Sequence, residues 1–306
     1  THFVPNTALV RKWFVKKAGL ATGIVTVGTV TGFAVLPPVI SLMSANMGWR
    51  NACIICAGAF GGIIMLSAAF IIRSSPEAMG LYPDGIAPDR RTEEGGTGVS
   101  ATDRGPQLTT KQSLRTKNFW YFFVVYSVTG IPLQGILAHV IMWGVELDFS
   151  AANSGIIMAA LTIPSIPVRI LAGWMGDRFG KKRVLVFFNI YCAAIWFVGW
   201  FFIQGGLSFF IFIILLGFAY SAPFSLYTPF LGDIFGRAIV GTLMGAITLG
   251  HGIIGGTGPL IWGWIADTSG SYRQNCFISA ACYVVVVIAL LAIKPPIEDR
   301  YAQRYE

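Results

Sequence analysis

Residues 173–204 read GWMGDRFGKKRVLVFFNIYCAAIWFVGWFFIQ. Its last part, Val184 to Gln204, is apolar around the whole circumference of a helix and is about as long as the 20 or so residues that cross a bilayer. A soluble helix would need a polar face here, so the stretch reads as a membrane span. The same ruler finds eight spans along the chain, near 18–45, 51–72, 118–145, 152–175, 184–204, 207–231, 239–266 and 276–293. Composition agrees: 55% of the 306 residues are hydrophobic and 12% charged, with a mean hydropathy of +0.67. The fold class expected is an all-α membrane protein.

The net charge of +8 follows from 22 Lys and Arg against 14 Asp and Glu, and in a soluble protein it would suggest nucleic acid. Position gives it another meaning. Alternate polar segments, counted from the N-terminus, hold all the basic residues except Arg50, Arg169 and Arg273. By the positive-inside rule that side is cytoplasmic, in the cell (plasma or inner) membrane. Nucleic acid drops out as a partner, and membrane lipid and a small solute remain. The long polar stretch 74–117, containing TEEGGTGVSATDRGP, reads as a cytoplasmic linker between a two-span part, 1–73, and a six-span part, 118–306. The C-terminus lies on the same side. All tryptophans but Trp196 fall near span ends, as an aromatic belt would have them. The five cysteines lie in or beside apolar runs and read as packing, so neither metal nor cofactor is expected.

Proline follows a rhythm. Spans one, three, four, six and seven carry Pro37 and Pro38, Pro132, Pro164 and Pro167, Pro223 and Pro229, and Pro259, whereas spans two, five and eight have none. Every third span is thus a plain helix suited to the lipid-facing outside, and the others have the bends expected around a central cavity. Two loops echo each other: 176–180, GDRFG, and 232–237, GDIFGR.

Gly173-x-x-x-Asp177-Arg178-x-Gly180-Lys181-Lys182 resembles the loop signature of the major facilitator superfamily, in the copy between its helices eight and nine. Near the N-terminus, Trp13-Phe14-x-Lys16-Lys17-x-x-Leu20-Ala21-x-Gly23 resembles the lead into helix five of monocarboxylate transporters and their oxalate/formate relatives. The resemblance implies a helical bundle of twelve helices in two halves, of which this chain would hold helices five to twelve: a remnant of the N-terminal half and a complete C-terminal one. With half the central cavity missing, such a chain alone is expected not to transport. The signature loop implies a conformational latch, in which the Asp177 carboxylate accepts hydrogen bonds from a neighbouring helix start or an arginine.

No Asp or Glu lies within any span, which leaves Arg169 as an unpaired intramembrane charge. Its placement costs about 2.5–3.5 kcal/mol on an insertion scale, which a substrate carboxylate would offset. Snorkelling is the alternative, because Arg178 is nine residues on. The resemblance places Arg169 at the helix-eight arginine of monocarboxylate transporters, with one departure: the preceding Asp of their proton-coupling pair is Ser165 here. His139 and His251 are the titratable groups that could assist with an anion or a proton. Gln134, Tyr220 and Tyr227 suit a polar cavity wall beside the bends, as do Ser221, Ser225 and Thr228. The function read from this is a secondary transporter of a small organic anion, a monocarboxylate or dicarboxylate, coupled to a proton or a counter-anion, and not an enzyme. A drug or sugar carrier and a non-transporting receptor are the competing readings. Gly23, Gly28 and Gly32 fit a drug carrier's glycine-rich helix, but Leu36-Pro37-Pro38 does not fit the Gly-Pro that ends it.

Overall fold

The computed structural model describes residues 17–70, 109–149, 154–236 and 239–294, with positions 6, 9, 10, 13, 14, 72, 73, 76 and 79–82. Most of the expected linker, including 92–106, lies outside the described residues, as do Arg237 and 295–306. Besides one short turn of helix, Thr110–Leu114, the α-helices are α1 (Ala18–Met47), α2 (Trp49–Phe70), α3 (Lys117–Glu146), α4 (Ser154–Thr162), α5 (Ser165–Phe179), α6 (Lys181–Phe202), α7 (Gly206–Gly217), α8 (Phe224–Phe235), α9 (Val240–Gly250), α10 (Gly258–Ser269) and α11 (Asn275–Ala292). No strand occurs among the described residues. Among the described residues, five stretches are long and apolar enough to cross a membrane: α2, α3, Ile156–Phe179, α6 and Tyr272–Ala292.

Three expected spans are broken in two, and each break has a local cause. Pro164 separates α4 from α5, Pro223 precedes α8, and a π-helical turn, His251–Gly255, joins α9 to α10 ahead of Pro259. Hydroxyls bond the carbonyls around these breaks. Ser165 Oγ donates to the Thr162 carbonyl at 2.7 Å, Ser225 Oγ to that of Ala222 at 2.8 Å and Thr257 Oγ1 to that of Ile254 at 2.7 Å. Pro132, by contrast, sits inside a continuous α3.

α11 lies along α6 and α3, the π-helical turn packs on α3, and α1 runs beside α5 and touches α8. Of the plain helices, α2 is almost wholly exposed, while α6 and α11 pack on each other and expose only their outer rows, such as Phe197 and Ile288. The tryptophan belt needs correction. Trp143 and Trp262 are fully buried with Trp196, ring centroids 5.6–6.1 Å apart, because these span ends turn inward onto the aromatic core.

Glycine sets the closest approaches. A Cβ on Gly130 would stand 2.8 Å from both Gly255 Cα and the His251 ring, so α3 meets the π-helical turn with no room for a side chain at position 130. Backbone cannot yield as a flexible side chain does. Gly130→Val is therefore expected to destabilise the protein by about 1–3 kcal/mol, seen as a lower unfolding temperature in detergent, whereas Gly245→Ala, inside α9 where nothing lies within 4 Å, should not lower that temperature.

Candidate functional site

Arg169 lies in the second turn of α5 and is 6% exposed. Its side chain does not snorkel outward. Nε donates to Ser221 Oγ at 3.1 Å, in the break before α8, and Nη1 donates to the Thr26 carbonyl of α1 at 2.7 Å. These bonds use two of the five donors of a guanidinium, and no carboxylate accepts from it among the described residues. The approach to α1 is possible because Gly23 lies directly against the Arg169 backbone; a Cβ there would stand 2.7 Å from the Arg169 carbonyl oxygen.

Two tyrosines stand near the guanidinium. Tyr220 interacts with its charge and faces the Ser165 hydroxyl. Tyr126 interacts with the same charge from α3, and its ring centroid is 5.0 Å from that of His251 and 5.1 Å from that of Tyr227. His251 Nδ1 bonds the Tyr126 carbonyl oxygen at 2.9 Å, so one ring nitrogen is already spent on the protein. Tyr227 is fully buried behind this layer, edge-on to Phe122, with its hydroxyl 3.4 Å from Thr129 Oγ1. Gln134 Nε2 reaches the His251 carbonyl at 3.5 Å. The structure thus gathers Arg169, Tyr220 and, through Tyr126, His251 and Tyr227.

His139 belongs to a different place. Its Nε2 bonds the Pro259 carbonyl oxygen at 3.0 Å and its Nδ1 pairs with the Tyr272 hydroxyl at 3.2 Å, so both ring nitrogens serve the packing of α3 against α10 and the following turn. Tyr126, which connects the site, is a residue that sequence reasoning missed. The available signal was its position one turn before Gly130, the glycine at which α3 receives the π-helical turn.

The signature loop lies at the basic end of α5. The Asp177 carboxylate accepts from the amides of Gly19 and Leu20, both at 2.9 Å, and so caps the first turn of α1, whose donors have no helical partner. Gly173 lies against Gly19 at the same crossing, where neither could carry a side chain. Gly180 has φ +93° and turns the chain from α5 into α6. Lys181 forms an ion pair with Asp233 of the echoing loop at 2.7 Å. Lys182 donates to the carbonyls of Leu291 and Ile293, at 3.1 and 2.6 Å, closing the end of α11. The Arg178 guanidinium lies 5.4 Å from the Trp174 ring and 5.6 Å from that of Phe179. No group of three His, Cys, Asp or Glu among the described residues could hold a metal.

The family model of the Major Facilitator Superfamily matches residues 1–173 and 140–304. Monocarboxylate transporter 12-B of Danio rerio is 26% identical over 329 residues, a similarity covering 99% of this chain and 65% of that protein. The oxalate:formate antiporter of Oxalobacter formigenes is 25% identical over 239 residues, covering 76% of this chain and 51% of the antiporter. The chain therefore spans less than two thirds of either relative. Among solved structures, a Major Facilitator Superfamily transporter in the outward conformation superposes with a TM-score of 0.54 at 16% identity, covering 95% of this chain and 86% of its own. A second structure of that transporter, a single-substitution variant of the E. coli fucose:proton symporter FucP, does so with a TM-score of 0.51 at 14% identity, covering 95% and 90%. At these identities the likeness is one of fold.

The Asp177 cap makes a local prediction. Asp177→Ala should speed hydrogen exchange at the Gly19 and Leu20 amides and destabilise the start of α1 by about 0.5–2 kcal/mol, while Asp177→Asn, which still offers an acceptor oxygen, should lose less.

Proposed function

Because this chain belongs to the Major Facilitator Superfamily, we propose that the protein is a secondary transporter of a small organic anion, a monocarboxylate or dicarboxylate, acting by alternating access. The observation that carries this reading is the buried Arg169 guanidinium, which faces no acid among the described residues and keeps donors to spare. Such a charge is costly in a low-dielectric setting and is best offset by a carboxylate that arrives with the substrate. The relatives, a monocarboxylate transporter and an oxalate:formate antiporter, support the same substrate class by their names.

The residues take roles that follow from their contacts. Arg169 holds the carboxylate, and Ser221, bonded to Nε, fixes the guanidinium plane. Tyr220, Tyr126 and His251 form the polar wall beside it, with Gln134 and Tyr227 behind. An incoming carboxylate competes with the Thr26 carbonyl for Arg169 and so loosens α1 from α5, while Asp177 holds the same two helices together at their basic end. Ser165 offers no second titratable group one turn before the arginine, which favours exchange for a counter-anion over proton symport. Residues 118–306 form one six-helix half, 74–117 the linker, and α1 and α2 belong to the other half. The basic end faces the cytoplasm of a cell membrane.

The test is uptake of oxalate and of lactate into proteoliposomes by the full-length transporter. Arg169→Ala should lower it by about ten- to a hundredfold, as expected for a lost charge-assisted bond. Arg169→Lys should recover only part, because an ammonium lacks the planar fork. Unchanged uptake in Arg169→Ala would mean abandoning the reading.

A further inference from the structure

A second site lies apart from Arg169, at the basic end of the bundle. A cavity of about 370 Å³ opens where the start of α6, the last turn of α8 and the end of α11 meet. Four cations line it, Lys181, Lys182, Arg183 and Lys294, against a single acid, Asp233. The first two cations are held by the protein itself, Lys181 by Asp233 and Lys182 by carbonyls at the end of α11. The side chains of Arg183 and Lys294 have no hydrogen-bond or ion-pair partner among the described residues. Lys294 nonetheless starts from a fixed point: its amide donates to Asn118 Oδ1, and its carbonyl accepts from Asn118 Nδ2, both at 3.2 Å. Buried Phe230, Ile234 and Ile293 supply an apolar wall.

Excess positive charge beside an apolar wall, at the ends of membrane helices, suits an amphiphile whose head is anionic and whose body is not. A free metabolite would gain nothing from the wall. A zwitterionic headgroup would bring its own cation against three uncompensated ones. We propose that this cavity binds the phosphate of an anionic phospholipid, with Arg183 and Lys294 as its charged contacts. The proposal does not depend on the transported substrate.

Native mass spectrometry of the purified protein in detergent, given equal amounts of phosphatidylglycerol and phosphatidylcholine, tests it. Phosphatidylglycerol should be retained preferentially, and the paired substitution Arg183→Gln with Lys294→Gln should weaken its retention about thirtyfold without lowering the unfolding temperature. The charge-conserving pair Arg183→Lys with Lys294→Arg should restore it, which separates loss of charge from loss of fold. Inorganic phosphate should not displace the lipid. Equal retention of the two lipids, retention indifferent to both pairs of substitutions, or displacement by inorganic phosphate, which would assign the cavity to a free anion, would each overturn the proposal.

Discussion

Inside a hydrocarbon layer every amide and carbonyl must find its partner within the protein, and the irregular parts of this bundle are arranged around that demand. At the breaks near Pro164 and Pro223 and beside the π-helical turn, hydroxyls of Ser165, Ser225 and Thr257 bond nearby carbonyls. The start of α1, whose amides would otherwise lack acceptors, takes both oxygens of Asp177. The guanidinium of Arg169 fastens on a hydroxyl in one break and on a helical carbonyl across the α1–α5 crossing. Bends, caps and the intramembrane charge are thus solutions to one problem, and they fall together because each supplies what another lacks.

Much of this was legible in the residues. Continuous apolarity exposes a membrane helix wherever it occurs, and proline marks a discontinuity because it removes an amide that the backbone cannot replace. The breaks at Pro164, Pro223 and before Pro259 could therefore be anticipated, although the continuity of α3 through Pro132 could not, since a helix tolerates proline when its neighbours hold it. The importance of Arg169 was also plain, as an isolated charge needs a reason.

What could not be read was partnership across sequence distance. Nothing local to Thr26 says that its carbonyl meets a guanidinium 143 positions away. His139 and His251 have equal claims as isolated letters, yet one is tied up by Tyr272 and Pro259 while the other stands next to Tyr126. Trp143 and Trp262 sit at span ends in the sequence and in an aromatic core in space. Interfacial preference and core packing draw on the same amphipathic ring, and only the orientation of the helix decides between them.

The crossing of α1 and α5 has a mechanical side. Gly19 and Gly23 press against α5, whereas Gly28 has no neighbour within 4 Å and Gly32 meets only Leu36 of its own helix. α1 is thereby clamped near one end and continues to Met47 as an arm of about 36 Å measured from Gly23. A rotation of about 10° at the clamp would carry the far end through about 6 Å, close to a full helical turn, for a change at the clamp of about an ångström. Small residues at Gly19, Gly23 and Gly173 bring the two helices to backbone contact at this crossing, and the arm's length would convert a slight adjustment there into a much larger displacement at its far end.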